Sequence, residues 1–193
     1  MKRTFIIFFL IPVIFNSCDN GILEPDIQPG NFIGLPENSA LADTTKFDIY
    51  YDITGSYDYS IEFVRQFTGG PFGQYSISSK LLIQAGTIPN NDTLTCLLSV
   101  DVLKTDILIS PIEQFFARPL KLTLKYTGVD LQGLDSTQFE FVYTNNNNVT
   151  LPVTYDSINI DTATGTLEVI NALIYYDPGQ VPDGRYGWIR KVN

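Results

Sequence analysis

From Phe47 to the end of the chain, short apolar segments alternate with clusters of Gly, Asn, Asp and Pro. In residues 120–126, every second side chain is apolar, and lysine and threonine occupy the positions between. A period of two is typical of a strand that buries one face. No segment of this region has the pattern of a long amphipathic helix. The pattern predicts strands at 47–53, 59–65, 75–83, 94–100, 107–110, 120–126, 139–144, 149–155, 157–160 and 167–176.

Turn-forming clusters at residues 69–73, 89–92, 145–148 and 161–165 separate these segments. Many short strands of this kind are typical of an all-β sandwich or barrel. The 147 residues of 47–193 suit one domain with a sizeable core and no need for disulfides. We therefore expect an all-β fold, a single antiparallel β-sandwich, over residues 47–193.

Residues 18–46, before this domain, have a different composition. Asp, Asn, Gly and Pro dominate, with prolines at Pro25, Pro29 and Pro36, and the apolar residues are isolated. Such a segment buries too little apolar surface to offset the entropy of ordering. It is predicted to be a flexible tether.

The first residues combine a cationic start, an apolar segment and a small residue before a cysteine. Lys2 and Arg3 precede eleven apolar residues at 5–15, and Ser17 precedes Cys18. Eleven residues are too few for a transmembrane helix, which needs about 20, so a secretory signal is the better interpretation. The segment resembles a bacterial lipoprotein signal at 1–17. That resemblance implies acylation, for example with palmitate, at Cys18.

The implied location is the bacterial cell envelope, outside the cytoplasm and anchored by lipid to the inner or outer membrane. Phe15 and Asn16 stand where that family usually has leucine and a small residue. Ordinary signal cleavage therefore remains an alternative.

The net charge and the cysteine content limit the partners and the covalent bonds that this chain is expected to have. The chain has a net charge of −9, and the mature part, without Lys2 and Arg3, has ten cations and 21 anions. Such a surface repels nucleic acid, so no nucleic-acid partner is expected. With Cys18 acylated, Cys96 has no disulfide partner and is predicted to be a small buried core residue.

The absence of histidine removes the commonest general base and the usual zinc ligand sets. We expect no enzyme activity, no cofactor and no metal. Calcium suits oxygen ligands, but residues 52–58 and the pair Asp156 and Asp161 lack the dense acidic spacing of a dedicated site. A glycosidase-like enzyme remains an alternative, and it needs two facing carboxylates about 5–9.5 Å apart.

Three segments of the β region carry a family resemblance. Residues 75–88 contain a strand that leads into a turn, 109–123 lead from Ser-Pro through Phe-x-x-Pro-Leu into a long strand, and 158–173 form a final hairpin pattern. Their order is similar to that of the ZU-five domain of ankyrins and netrin receptors. Gln84 and Ala85 depart from the family's turn, where proline and its neighbour stand.

This resemblance implies an immunoglobulin-like or ZU-five-like sandwich whose role is protein interaction or mechanical spacing. Some relatives of such sandwiches cleave themselves at a His-x-Ser or His-x-Thr turn. Residues 175–180 contain neither the histidine nor the hydroxyl nucleophile. Self-cleavage is not expected.

The C-terminal segment 175–191 is the least easily assigned. Its candidates for contact with a ligand or partner are the aromatics and cations Arg185, Tyr186, Trp188 and Arg190. Exposed aromatics beside arginines are typical of partner or sugar recognition. The alternative, which we favour, is a terminal strand whose aromatics pack in the sandwich.

These features predict a lipid-anchored, non-catalytic protein-interaction or structural module. Its partner, an envelope protein or a glycan, is unknown from the sequence. The alternative is a carbohydrate-binding or surface glycan accessory lipoprotein, for which an exposed row of Tyr and Trp is expected.

Overall fold

The computed structural model describes residues 31–36, 45–89, 92–113, 115–145, 147, 149–175 and 184–191. These residues form two antiparallel sheets packed into one sandwich, so the predicted all-β sandwich is confirmed. A short 3₁₀ helix, Ser136–Gln138, precedes the seventh strand. The strands are β1 Lys46–Thr54, β2 Tyr59–Thr68, β3 Gln74–Ile83, β4 Thr93–Asp101, β5 Asp106–Ser110, β6 Leu120–Thr127, β7 Phe139–Thr144, β8 Thr150–Pro152, β9 Ser157–Asp161, β10 Thr166–Ile174 and β11 Arg185–Arg190.

One sheet has the strand order β1-β4-β5-β11-β7-β8, and the other has the order β2-β3-β6-β10-β9. Strand β1 therefore lies at one edge of the first sheet, and β2 lies at one edge of the second. The rings of Phe47 in β1 and Phe63 in β2 are 5.4 Å apart. The two edges thus lie on the same side of the sandwich.

The ten predicted strands appear to within about three residues at either end. In β6, Leu120, Leu122, Leu124 and Tyr126 are all buried, while the residues between are half-buried. The largest difference is β8, which is shorter than its predicted range, 149–155. It pairs with β7 at three residues of that strand, Val142, Tyr143 and Thr144.

The N-terminal boundary of the domain needs correction. Residues 31–36, predicted to be part of the tether, pack into the sheet. Ile33 N–H donates to Trp188 O at 3.0 Å, and Ile33 O accepts from Thr105 N at 2.8 Å. Leu35 N–H donates to Leu103 O at 2.8 Å, and both Ile33 and Leu35 are buried. Ile33 and Leu35 belong to the core because their backbone groups complete a ladder between β11 and the segment before β5. The spacing of apolar residues in the sequence does not reveal this pairing.

The predicted signal at 1–17 and Cys18 lie outside the described residues. In the part of the chain that the structure describes, no helix has the length and apolar character needed to cross a membrane.

A buried thiol and two buried phenol groups are expected to make the stability of the sandwich fall at alkaline pH. Burial raises the pKa of Cys96 to about 11, and it raises those of Tyr126 and Tyr186 well above their usual range. In the unfolded chain, cysteine and tyrosine lose their protons near pH 8.5 and 10. The unfolded state therefore binds fewer protons than the folded state in this range, so stability falls as pH rises.

We expect the free energy of unfolding to be steady below about pH 8 and to fall above it, by up to about 1.4 kcal/mol per pH unit for each differing proton. Urea unfolding at pH 7, 9 and 10.5 measures this fall. The variant Tyr126→Phe is the matched control, because it removes one titrating group whose hydroxyl has no hydrogen-bond partner among the described residues. A flat profile to pH 10.5, or an unchanged slope in Tyr126→Phe, would contradict the burial argument.

Candidate functional site

The aromatic side chains predicted at the C-terminus are part of the core. Strand β11 runs between β5 and β7, in the middle of the six-stranded sheet. Tyr186 is 2% exposed and Trp188 is 0% exposed. Their rings lie 5.1 Å from Tyr143 and 5.5 Å from Phe141, respectively. Neither ring offers a surface to a ligand, and the packed terminal strand favoured in the sequence analysis is the arrangement found.

Arg185 belongs to a mostly buried ion-pair network. Its Nε pairs with the buried Asp106 carboxylate, and its Nη2 lies 3.5 Å from Asp101 Oδ2. Burial raises the pKa of Asp106, and the Arg185 guanidinium opposes that shift. Gly187 permits this packing, since a Cβ there would lie 2.7 Å from Asp106 Cβ. The network ties β11 to β4 and β5, so Arg185 has a structural role, while Arg190 is half-buried at the end of β11.

The carboxylates considered as calcium ligands accept hydrogen bonds from other groups of the fold. Asp52 Oδ1 accepts from Thr95 Oγ1 at 2.6 Å, and Asp58 Oδ1 accepts from Ala85 N at 2.6 Å. Asp161 accepts from Thr164 Oγ1 at 2.8 Å and from the backbone N–H of Ala163 at 2.9 Å. These two hydrogen bonds lower the pKa of Asp161.

Asp156 Oδ2 likewise accepts from Asn171 Nδ2 at 2.7 Å. Within the described ranges, no three His, Cys, Asp or Glu side chains group as metal ligands. Cys96 is 2% exposed and unpaired, which confirms its predicted burial.

The described residues form a mostly aromatic row, which includes the buried Phe63 and the exposed Tyr51, on the side of the sandwich where β1 and β2 meet. We call this row the β1–β2 edge; its members are Phe47, Ile49, Tyr51, Tyr59 and Phe63. The Tyr51 and Tyr59 rings are 5.7 Å apart in a T-shaped contact. Tyr51 is 45% exposed, and Phe47, Ile49 and Tyr59 are half-buried. These side chains point towards the core, but they lie at its open margin.

Arg65 lies at one end of the β1–β2 edge, over two of its aromatic rings. Its guanidinium carbon lies 5.4 Å from the centre of the Phe63 ring and 5.9 Å from that of Phe47. Arginine over an aromatic face is attracted by the ring quadrupole. It also places a charge at an inward-pointing position of β2, which discourages pairing of that strand with another chain.

The backbone of β1 has hydrogen-bonding groups on its outer side. Val102 N–H donates to Thr45 O at 3.1 Å, so Thr45 and Val102 form a hydrogen-bonded pair. Hydrogen-bonded and non-hydrogen-bonded pairs alternate along an antiparallel ladder. With the register Phe47 opposite Val100, the backbone groups of Phe47, Ile49 and Tyr51 therefore face β4. Those of Lys46, Asp48, Tyr50 and Asp52 point away from it.

This surface was not among the sites predicted from the sequence. In the predicted strand 47–53, a period of two places Phe47, Ile49, Tyr51 and Ile53 on one face, but only Ile53 is fully buried. The reason is that a period of two identifies an inward-facing side chain and does not distinguish an edge strand from a central one. The doublet Tyr50-Tyr51 was an available signal, because it places aromatics on both faces of one strand.

No protein-family model, curated protein or solved structure matches this chain.

Proposed function

We propose that this chain is a lipid-anchored protein of the bacterial cell envelope, acting as a non-catalytic protein-interaction module. The N-terminal pattern ending at Cys18 supports the anchor. The observation that carries the interaction role is the β1–β2 edge, where apolar side chains and outward-pointing backbone groups occur on one strand. Protein partners use both features when an extended strand adds to the edge of a sheet.

The ZU-five resemblance agrees with this role, since it also implies a sandwich used for protein interaction. The two-sheet architecture is compatible with it. Membership of that family stays a prediction.

A glycan-binding role is the second candidate, and the exposed Tyr50 and Tyr57 favour it, at 65% and 67% exposure. Sugar rings need aromatic faces that lie side by side. Tyr50 and Tyr51 are consecutive in a strand and so point to opposite faces. The Tyr51 and Tyr59 rings are inclined at 75°, which is unlike a flat platform. These geometries favour a protein partner.

Photo-crosslinking from position 51 tests the interaction role. A photoreactive phenylalanine analogue at Tyr51, in the full chain in its native envelope, is expected to form a covalent adduct with protein. The matched control places the analogue at Ile158, which is 39% exposed on the opposite edge, in β9. Adducts from position 51 that do not exceed those from position 158 would count against the proposal, and adducts with polysaccharide would favour the glycan role.

A further inference from the structure

We infer that the partner of the β1–β2 edge is a second copy of this chain, joined through antiparallel β1 strands about a two-fold axis at Ile49. This inference rests on the proposed interaction role of that edge and names the partner. Four observations carry it: the lack of protection of β1, the direction of its backbone groups, the charges along the strand and the stacking of β1 over β2.

Among the edge strands that the structure describes, β1 has the least protection against pairing. Natural sheets blunt their edges with short strands, prolines, bulges, charged side chains or inward-pointing charges. Of these devices, β1 has charged side chains on its outer face, at Lys46, Asp48 and Asp52. Strand β8 has three residues and contains Pro152, β9 has five residues, and β2 carries Arg65 at an inward-pointing position. Strand β1 has nine residues, contains no proline and pairs with β4 without a register shift. Its inward-pointing side chains between Phe47 and Ile53 are all apolar or aromatic.

The backbone geometry fits a two-fold axis at Ile49. Pairing about this residue places Lys46 opposite Asp52 of the second copy and Asp48 opposite Tyr50. The backbone groups of all four residues point outward, so these become hydrogen-bonded pairs. Ile49 then faces itself in a non-hydrogen-bonded pair, where side chains approach most closely.

Three neighbouring registers can be compared, with the two-fold axis at Asp48, Ile49 or Tyr50. Only the axis at Ile49 makes the side chains of the two β1 strands complementary. On the outer face, Lys46 meets Asp52 twice, once on each side of the axis. On the inner face, Phe47 meets Tyr51, and the half-buried Ile49 meets Ile49. An axis at Asp48 would place that carboxylate opposite itself, and an axis at Tyr50 would place Asp48 opposite Asp52. Like charges directly opposite each other are destabilising.

The second sheet accommodates the same axis. Phe47 lies beside Phe63, and Tyr51 lies beside Tyr59. Because Ile49 is midway between Phe47 and Tyr51 in the sequence, these two contacts place it near Ile61. An axis through Ile49 therefore passes near Ile61, in the first half of β2. The β2 edges of the two copies approach with Ser60 opposite Glu62, so no like charges lie directly opposite each other.

Seven paired residues make a small interface compared with the roughly 800 Å² per partner of a standard complex. A weak dimer is therefore expected in dilute detergent solution. The proposed lipid anchor would confine both copies to one membrane and raise their effective concentration.

Cysteine scanning along β1 in the full chain tests the inferred axis. A residue on a two-fold axis faces itself, and the Cα separation of a non-hydrogen-bonded pair, about 4.5 Å, permits a disulfide. Under mild oxidation in native membranes, Ile49→Cys is expected to give severalfold more covalent dimer than Asp48→Cys, Tyr50→Cys or Tyr51→Cys. The parent chain, with Cys18 and Cys96, gives the background. Dimer from Ile49→Cys at or below that of its neighbours would overturn the inference.

A proline pair provides a test that does not depend on the cysteine variants. The Tyr50 N–H points away from β4, so Tyr50→Pro removes an outer hydrogen-bond donor and leaves the β1–β4 ladder intact. Tyr50→Ala removes the same ring and keeps the N–H. By sedimentation of the full chain in detergent, at a protein concentration at which the parent chain dimerises, Tyr50→Pro is expected to be monomeric and Tyr50→Ala to dimerise, with the same β-sheet circular dichroism. Equal dimerisation of the two variants would contradict edge pairing.

The two proposals fail differently. If position 51 crosslinks to a different protein and Ile49→Cys gives no dimer, the proposed interaction role stands. The inference that the partner is a second copy of this chain is then wrong. If neither crosslink forms, both proposals are wrong.

Discussion

Replacing Trp188 with alanine is expected to lower the free energy of unfolding by about 3–5 kcal/mol. The indole is 0% exposed and lies between the two sheets, in edge contact with Phe141. The loss combines the transfer free energy of a large aromatic side chain with the cavity left behind. Domains of this kind are stable by only about 5–15 kcal/mol, so the variant is expected to lose a large part of its stability. Urea unfolding followed by circular dichroism measures the change.

Tyr50→Ala is the matched control, because that ring is 65% exposed and lies outside the core. Its effect on stability is expected to stay within about 0.5 kcal/mol. Trp188 is the chain's one tryptophan, so fluorescence of the parent protein reports directly on its burial. A cost below about 1 kcal/mol for Trp188→Ala would mean that β11 is not a central strand.

Replacing Cys18 with alanine is expected to abolish lipid attachment. The thiol is the acceptor of the acyl chain in the proposed processing, and no other residue of the 1–18 segment supplies one. Stable anchoring needs more than one acyl chain, each methylene contributing about 0.8 kcal/mol. Growth with an alkyne-tagged palmitate, followed by purification and dye coupling, measures the label directly.

Cys96→Ala is the matched control, because Cys96 is buried in β4 and cannot accept lipid in the folded domain. The parent chain and Cys96→Ala are expected to label equally, and Cys18→Ala not at all. Absence of label from the parent chain would favour ordinary signal cleavage and remove the anchor from the proposed function.

The strands were predictable because each one buries a single face. In β6 the alternation of leucine with lysine and threonine matches burial residue by residue. The short N-terminal ladder was not predictable in this way. Ile33 and Leu35 lie in a segment without strand periodicity. Their burial depends on backbone pairing with Leu103, Thr105 and Trp188, which are distant in the sequence.

The candidate surface was less predictable than the fold. The C-terminal aromatics attracted attention because they are set among glycines and arginines, yet Arg185 is held by Asp106, 79 positions earlier in the sequence. The importance of Tyr51 depends on its strand being at an edge. Strand order is a property of the whole sheet, and no local pattern in residues 46–54 reports it.

Hydrogen–deuterium exchange of β1 in the native membrane tests most directly whether this edge is an engaged interaction surface. The N–H groups of Asp48, Tyr50 and Asp52 point away from β4, so a bound partner would protect them. We expect the peptide covering 46–54 to exchange more slowly in the membrane than in protein diluted into detergent, and the β9 peptide to be unchanged. Equal exchange of the 46–54 peptide in the two states would contradict an interaction through β1.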